Sequence, residues 1–475
     1  MPAPWFSRRV VYPLQERLLK RPTFRYLESL EQSQWLERAD IEALQARKLA
    51  ALLGTAAEHS PWHAERIRAA GIEVGRNEVT LDELRRLPLM TREEARDNSD
   101  RIRWLDVPGG AARYNTGGSS GEPLIFYFGR WRQASDAAGR IRARRWWGVD
   151  AGDREVYLWG APAELNKTDS VKTIRDGLLN QLVLNAFAMS ADAMDAYLEA
   201  IESFKPRCLY GYASSLALLA ARAVAHRRRL SLPELRVVCA TGEPLYAHQR
   251  QVIGEAFGVP VANEFGSRDI GFTAHETPHG QMLLMSESIV LEIVDPEGKP
   301  VPVGEIGEAV ATGLCSEAQP FIRYRTGDMV RLSPEPCADG RGLHVLAEVV
   351  GRSTDFVVRS DGTMMHALSV IYVLRDVDGI AQFRFIQHSL HEVEVLVVAN
   401  ARWNEGGQSK VRAGLGQRLG PDVRIEIRTV DAIPAEASGK YRYVVSHVPP
   451  LSALQDELRL LGLGRAADEK AMAAR

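Results

Sequence analysis

The stretch RCLYGYASSLALLAARAVAHRRRLSLPELRVVCATGEPLYAHQRQVIGEAFGVPVANEF, residues 207–265, decides the fold. RCLYGY, LRVVCA and VPVANEF are short apolar runs bounded by turn residues and read as strands. Between them, SSLALLAARAVAHRRR and YAHQRQVIGEAFG carry apolar residues at helical spacing. Strand, helix, strand, helix, strand, joined by right-handed crossovers, makes a parallel sheet covered by helices. Such a sheet binds its ligands outside the carboxyl ends of its strands. Two of these strands run into ATGEPL (240–245) and EFGSRD (264–269), turn-like tails that each carry an acid.

Upstream, the pattern is helical to about residue 100. DIEALQARKLAALLGTAAEHS has i, i+3, i+4 apolar spacing, and Thr80 with Glu83 and Thr91 with Glu94 are capping-box pairs. Downstream, SIVLEIVD, GEAVATGL, FIRYRTGDMVRL and LHVLAEVV are strands and suggest a smaller antiparallel layer or barrel. After GRSTD (351–355) the order becomes strand, helix, strand, strand, helix, strand. The expected fold is therefore α/β. A large domain spans 1–350, with a helical start (1–100), an α/β part (101–285) and a β-rich part (286–350). A small α+β domain follows at 351–475.

Composition narrows the function. A net charge of −2 lacks the basic excess that a nucleic-acid binder needs, so a small ligand is expected. Cys208, Cys239, Cys315 and Cys337 form no CxxC pair, which fits a reducing cytoplasm and no cysteine metal site. No run of about 18 apolar residues offers a membrane span. The amino terminus, MPAPWFSRRVVYPLQERLLKR, has no signal-peptide apolar region. Its alternation of Arg and Lys with Val, Leu and Tyr leaves two readings: a helix that touches a membrane surface, or one docked on its own domain.

TGGSSGEP, Thr116 to Pro123, has three glycines, three hydroxyls and no large side chain. It matches G-x-S-x-G, but that nucleophile elbow is a strand-to-helix turn, and here the strand-like LIFYF follows. No Lys follows the last Gly, which argues against a Walker loop. HETPH (275–279) matches the zinc signature H-E-x-x-H, yet Pro278 breaks the helix that signature requires. What remains for the loop is a nest of backbone N–H groups and hydroxyls suited to phosphates.

With YRTGD (324–328), GR (351–352) and SGKYR (438–442) added, the ordered set resembles the adenylate-forming superfamily of acyl-CoA synthetases and aryl-CoA ligases. It looks most like the phenylacetate-CoA ligase branch and its CapK-like relatives of capsular polysaccharide biosynthesis. The resemblance implies an acid activated by ATP with Mg²⁺ to an acyl-adenylate, then passed to CoA. Thr116, Gly117, Gly118, Ser119, Ser120 and Gly121 would grip the ATP phosphates. Thr241, Gly242, Glu243 and Pro244 would line the adenine, with Phe265 and Gly266 on the base. Asp269 would serve Mg²⁺, Asp328 would take the ribose hydroxyls, and Arg352 would belong to a hinge-side Gly-Arg pair. Lys440 would be the catalytic lysine of a mobile carboxyl-terminal domain. Thr354 and Arg268 depart from the family's usual Asp and Ser or Thr. Alternatives are transfer to an amine or hydroxyl of a surface-polysaccharide precursor, or a non-catalytic module that binds nucleotide or acyl-CoA. A homodimer is compatible with either. Arg140, Arg142, Arg144, Arg145 and the run His226–Arg229 read as solvated helix faces rather than as a CoA phosphate site.

Overall fold

The computed structural model describes residues 2–115, 124–159, 169–186, 189–242, 245, 247–295, 297–349, 356–361, 364–366, 368–433 and 444–448. A hairpin of β1 (Ala112–Asn115) and β2 (Ile125–Phe128) is followed by β3 (Glu155–Trp159), β4 (Gln181–Asn185), β5 (Cys208–Tyr212), β6 (Val237–Thr241) and β7 (Val261–Ser267). Then come β8 (Gly271–Glu276), β9 (Met282–Leu284), β10 (Ile289–Val294), β11 (Ile306–Gly313), β12 (Tyr324–Leu332) and β13 (Val345–Val349).

β3 to β13 form one sheet in the order β10-β11-β12-β13-β9-β8-β7-β6-β5-β3-β4. β3 to β7 pair in parallel, with helices Ala213–Ala225 and Ala247–Phe257 as the crossovers of the deciding stretch. The downstream strands do not form the separate layer or barrel that their texture suggested. β8 turns back antiparallel onto β7, and β9 to β13 extend that edge. The change of texture is a change from parallel to antiparallel pairing within one sheet.

Strand periodicity places alternate side chains on opposite faces. Leu209 and Val238 pack with Leu198, Leu216, Leu219 and Ile253 from the helices on one side. Cys208, Tyr210, Val237 and Cys239 face the other, against Trp147, Tyr157 and Trp159. The helical start is present, including helix Arg38–His59 and both capping boxes. Helix Ala213–Ala225 ends four residues before the expected Arg229, because Arg227 turns left-handed (φ 49°) and Arg228 leaves the axis to pair with Glu202 at 2.6 Å.

In the carboxyl-terminal part, β14 (Phe356–Val358) and β15 (Met364–His366) precede helix Leu368–Arg375. β16 (Ile380–Ser389), β17 (Glu392–Ala399), helix Glu405–Leu419, β18 (Arg424–Thr429) and β19 (Val444–Ser446) follow. A four-stranded sheet, β18-β17-β16-β19, packs Phe385, Val395, Val411 and Leu415 into its own core.

His63 keys helix Pro61–Ala69 to the segment before β12. Its Nε2 lies 2.9 Å from the Pro320 carbonyl, and its Nδ1 is 3.2 Å from the Arg66 guanidinium. Burial, with Arg66 alongside, lowers its pKa to about 3. The unfolded chain therefore binds the proton first as pH falls. Stability from this site is complete above about 6.5 and declines below it, by about 2–3 kcal/mol near pH 4.5. The His63→Gln variant should lose less stability than the parent between pH 7 and about 4.5. Parallel pH profiles of chemical denaturation for the two would contradict this.

Candidate functional site

The carboxyl edge of the parallel strands gathers the segments singled out in the sequence. β6 ends at Thr241, whose hydroxyl donates to Glu264 Oε1 at 3.1 Å across the β6–β7 pair. The Tyr210 hydroxyl donates to the same oxygen at 2.7 Å, and burial followed by the Glu264 charge raises its pKa, so it stays a donor. Gly242 sits against the Tyr212 ring; a Cβ there would be 3.2 Å from two ring carbons. Tyr212 in turn stacks on Trp159, with centroids 4.4 Å apart.

β7 carries Phe265 on the face opposite Glu264, in a cluster with Leu124, Phe126 and Ile270. The turn that follows is tight. A Cβ on Gly266 would lie 2.5 Å from the Gly271 carbonyl oxygen, so the two strands approach at a distance only glycine allows. Asp269, in this turn, is buried. Its Oδ1 accepts from the Ser267 hydroxyl and from Ile270 N at 3.2 Å, and its Oδ2 accepts from the Tyr324 hydroxyl at 2.9 Å.

Tyr324 opens the YRTGD segment, so this bond sets β12 beside the turn. Between the pairs Glu308–Met329 and Val310–Arg325, Thr326, Gly327 and Asp328 stand opposite Ala309 alone. This is a bulge: Gly327 has φ 74°, Thr326 donates to the Ala309 carbonyl at 3.0 Å, and Asp328 N donates back to Thr326 Oγ1 at 3.1 Å. Bulges re-aim a side chain out of the alternating register, and Asp328 is the residue displaced.

The TGGSSGEP loop, Thr116–Pro123, lies outside the described residues, as do Glu243, Pro244, Arg352 and Lys440. The roots of the loop are described. Asn115 pairs with Ile125 across the antiparallel strands β1 and β2. Arg268 reaches the Asn115 carbonyl at 3.4 Å. A run of ring contacts, Tyr114 to Phe126 (6.0 Å), Phe126 to Phe321 (6.0 Å) and Phe321 to Tyr324 (4.9 Å), ties the hairpin to the residue that holds Asp269. The structure thus joins the loop roots to the Phe265–Asp269 segment, pairs Thr241 with Glu264 beside Phe265, and holds that segment to the strand that also carries Asp328. After the loop comes strand β2, not the helix of a nucleophile elbow or Walker motif. His275 of HETPH lies on strand β8, buried, with its pKa lowered by burial.

The expectation of solvated arginines is overturned for the helix Arg130–Arg145. Arg142 is fully buried and grips Glu287 through both oxygens, at 2.5 and 3.2 Å. Arg144 is buried on Glu155 and on the Tyr157 hydroxyl, at 2.9 Å from the latter. Arg145 pairs with Glu31 and Asp150. Arg140 lines a cavity of about 270 Å³ with Tyr157, Trp159 and Val183, and its Nε points to Glu264 Oε2 at 3.9 Å. These atoms of Arg140 and Glu264 are buried without a hydrogen-bond partner. Sequence reasoning missed Glu264 and Tyr324. The available signals were an acid within the strand VPVANEF and a hydroxyl donor at the head of YRTGD.

The chain is similar to several known proteins. Residues 357–447 match the CapK C-terminal domain family. Protein CapK of Staphylococcus aureus is 22% identical over 433 residues, covering 90% of this chain and 94% of CapK. Residues 357–447 thus match a CapK-type domain, and the chain as a whole is similar to CapK. The phenylacetate-coenzyme A ligase of Thermus thermophilus is 25% identical over 339 residues, covering 68% of this chain and 73% of the ligase. The solved 2-hydroxyisobutyryl-CoA ligase, in complex with 2-HIB-AMP and CoA, superposes with a TM-score of 0.61 at 19% identity, covering 90% and 94% of the two chains, which shows a shared fold.

Proposed function

We propose that this chain is an AMP-forming acid–thiol ligase. A carboxylate oxygen of the acid attacks the α-phosphorus of ATP and pyrophosphate leaves; a thiol, CoA, then attacks the acyl carbon and AMP leaves. On this reading Thr116–Gly121 hold the phosphates, Thr241–Pro244 line the adenine with Phe265 and Gly266, and Asp328 takes the ribose hydroxyls. Arg352 stands at the hinge of a carboxyl-terminal lid, 351–475, that carries Lys440. One observation carries the proposal: the 2.9 Å bond from Tyr324 to Asp269, which sets the ribose-type carboxylate strand beside the metal-type carboxylate turn. The named CoA ligase relatives support the reaction type.

On this reading Asp269 is the residue that would hold Mg²⁺. Among the described residues no three His, Cys, Asp or Glu side chains cluster to hold a metal. The cation would share Asp269 with phosphate and water oxygens, the usual habit of Mg²⁺. When bound it would neutralise phosphate charge; binding and orientation belong to the chain's own residues. The cavity beside Arg140 is where we place the body of the acid, and its Arg140 and Tyr157 suit a polar acyl group better than a plain alkyl one. The match of 357–447 to CapK keeps a second acceptor in view, an amine or hydroxyl in place of CoA.

Asp328→Ala tests the assignment. A carboxylate accepts two ribose O–H bonds at once, and their loss should weaken ATP binding by about 1–3 kcal/mol. Titration calorimetry showing unchanged ATP affinity in a folded variant would contradict it.

A further inference from the structure

The amino-terminal helix is built with its polar side inward. Residues Pro4–Leu18 are helical, with a π-turn over Ser7–Val11 just ahead of Pro13, which has no N–H to donate. Ser7 is fully buried: its hydroxyl donates to the Leu178 carbonyl at 2.9 Å and accepts from Asn180 at 3.1 Å. Arg8 bonds the Ala151 carbonyl at 3.0 Å and Asp153 at 3.1 Å. Glu16 is buried and held by Arg21 and Thr23. The helix is pinned to the domain by polar bonds.

Its outer side is apolar. Phe6, Val10, Leu14 and Leu18 recur every four residues, flanked by Trp5 and Leu19, and all are exposed, Leu14 to 54% and Leu18 to 74%. Ile174 and Leu178, on the helix that Ser7 touches, are exposed as well. A helix that serves only its own domain turns such a stripe to the core; a contiguous exposed one marks an interaction surface.

Within the segment that carries the stripe, charge is almost all of one sign. Residues 1–25 contain six basic residues and one acid, the buried Glu16, whereas the whole chain balances 59 basic against 61 acidic residues. Arg9, Arg17, Lys20 and Arg25 are exposed. An open groove of about 580 Å³ beside the helix adds Arg130 and the half-exposed Trp131.

We propose that this face docks on an anionic lipid bilayer. The Phe6–Leu18 ladder enters the acyl boundary in the plane of the surface, and the flanking Arg and Lys side chains meet lipid phosphates. The attachment is peripheral: among the described residues no helix is long and apolar enough to cross a membrane. The like charge of this segment favours a bilayer over a second copy of the chain, since it repels itself and is drawn to an anionic surface, at about fivefold in partitioning per basic side chain.

Flotation of the full chain with phosphatidylcholine vesicles, with and without phosphatidylglycerol, tests this. The chain should float with the phosphatidylglycerol vesicles and far less with phosphatidylcholine alone. Leu14→Ser with Leu18→Ser, and separately Arg17→Glu with Lys20→Glu, should each cut the bound fraction about tenfold or more. Because these side chains are exposed, thermal unfolding should stay unchanged. No flotation of the parent, flotation that ignores both pairs of substitutions, or a parent dimer that the Leu pair dissociates would each overturn the proposal.

Discussion

Replacing Lys440 with alanine is expected to slow acyl-adenylate formation about a hundredfold, the effect of removing one charge-assisted contact of ~3 kcal/mol from a transition state. Thioester formation from supplied acyl-AMP and CoA should remain largely intact. The argument rests on timing. Charge builds on the oxygens of an in-line pentavalent phosphorus, and little covalent help from protein is needed there, so a lysine positioned in that step bears much of the barrier. In the thiol step the leaving group is already AMP. If Lys440 belongs to a lid that withdraws, its absence is not felt. Separate assays of the two half-reactions check this. Equal impairment of both would mean that the lysine is structural or that the lid does not alternate, and Thr354 at the usual hinge aspartate makes that comparison informative.

Glu287→Ala should be the most damaging change to the fold, at about 3–5 kcal/mol, because it leaves the Arg142 charge buried without its counter-ion. Both side chains are almost fully excluded from water, and Glu287 also accepts from Ser33 at 2.8 Å while Arg142 donates to the Leu30 carbonyl at 3.1 Å. The pair therefore clamps helices Thr23–Ser33 and Arg130–Arg145 to the turn after β9. An apolar pair, Arg142→Met with Glu287→Leu, should recover much of the loss, since it removes the uncompensated charge rather than exposing it. Urea unfolding of the parent and the two variants gives the comparison. A Glu287→Ala loss under about 1 kcal/mol would mean that water reaches Arg142.

The parallel core was legible because its signals are local. Apolar runs of strand length alternate with helical spacing from Arg207 to Phe265, and each element forms within a few residues of its reading. The carboxyl-terminal order was legible for the same reason, except for the three-residue strands β15 and β19, too short to show a pattern. What stayed hidden depends on distant partners. Arg142 and Glu287 are 145 residues apart, and Tyr324 and Asp269 are 55 apart, so no local pattern marks either pair. A charged helix residue reads as solvated until the fold supplies its acid. The continuation of the sheet past β7 was hidden too, because strand texture does not say which edge the next strand joins. At the amino terminus the mixture of basic and apolar residues was visible, but its orientation depended on anchors such as Asn180 and Asp153.

Pyrophosphate exchange tests the central claim most directly. Acid adenylation is reversible while the acyl-AMP stays bound, so labelled pyrophosphate should enter ATP when the chain is given Mg²⁺ and an acid that fits. A panel of aryl, alkyl and polar acids should show exchange with at least one of them, the polar ones foremost. No exchange across the panel, together with no measurable ATP binding, would contradict the ligase reading.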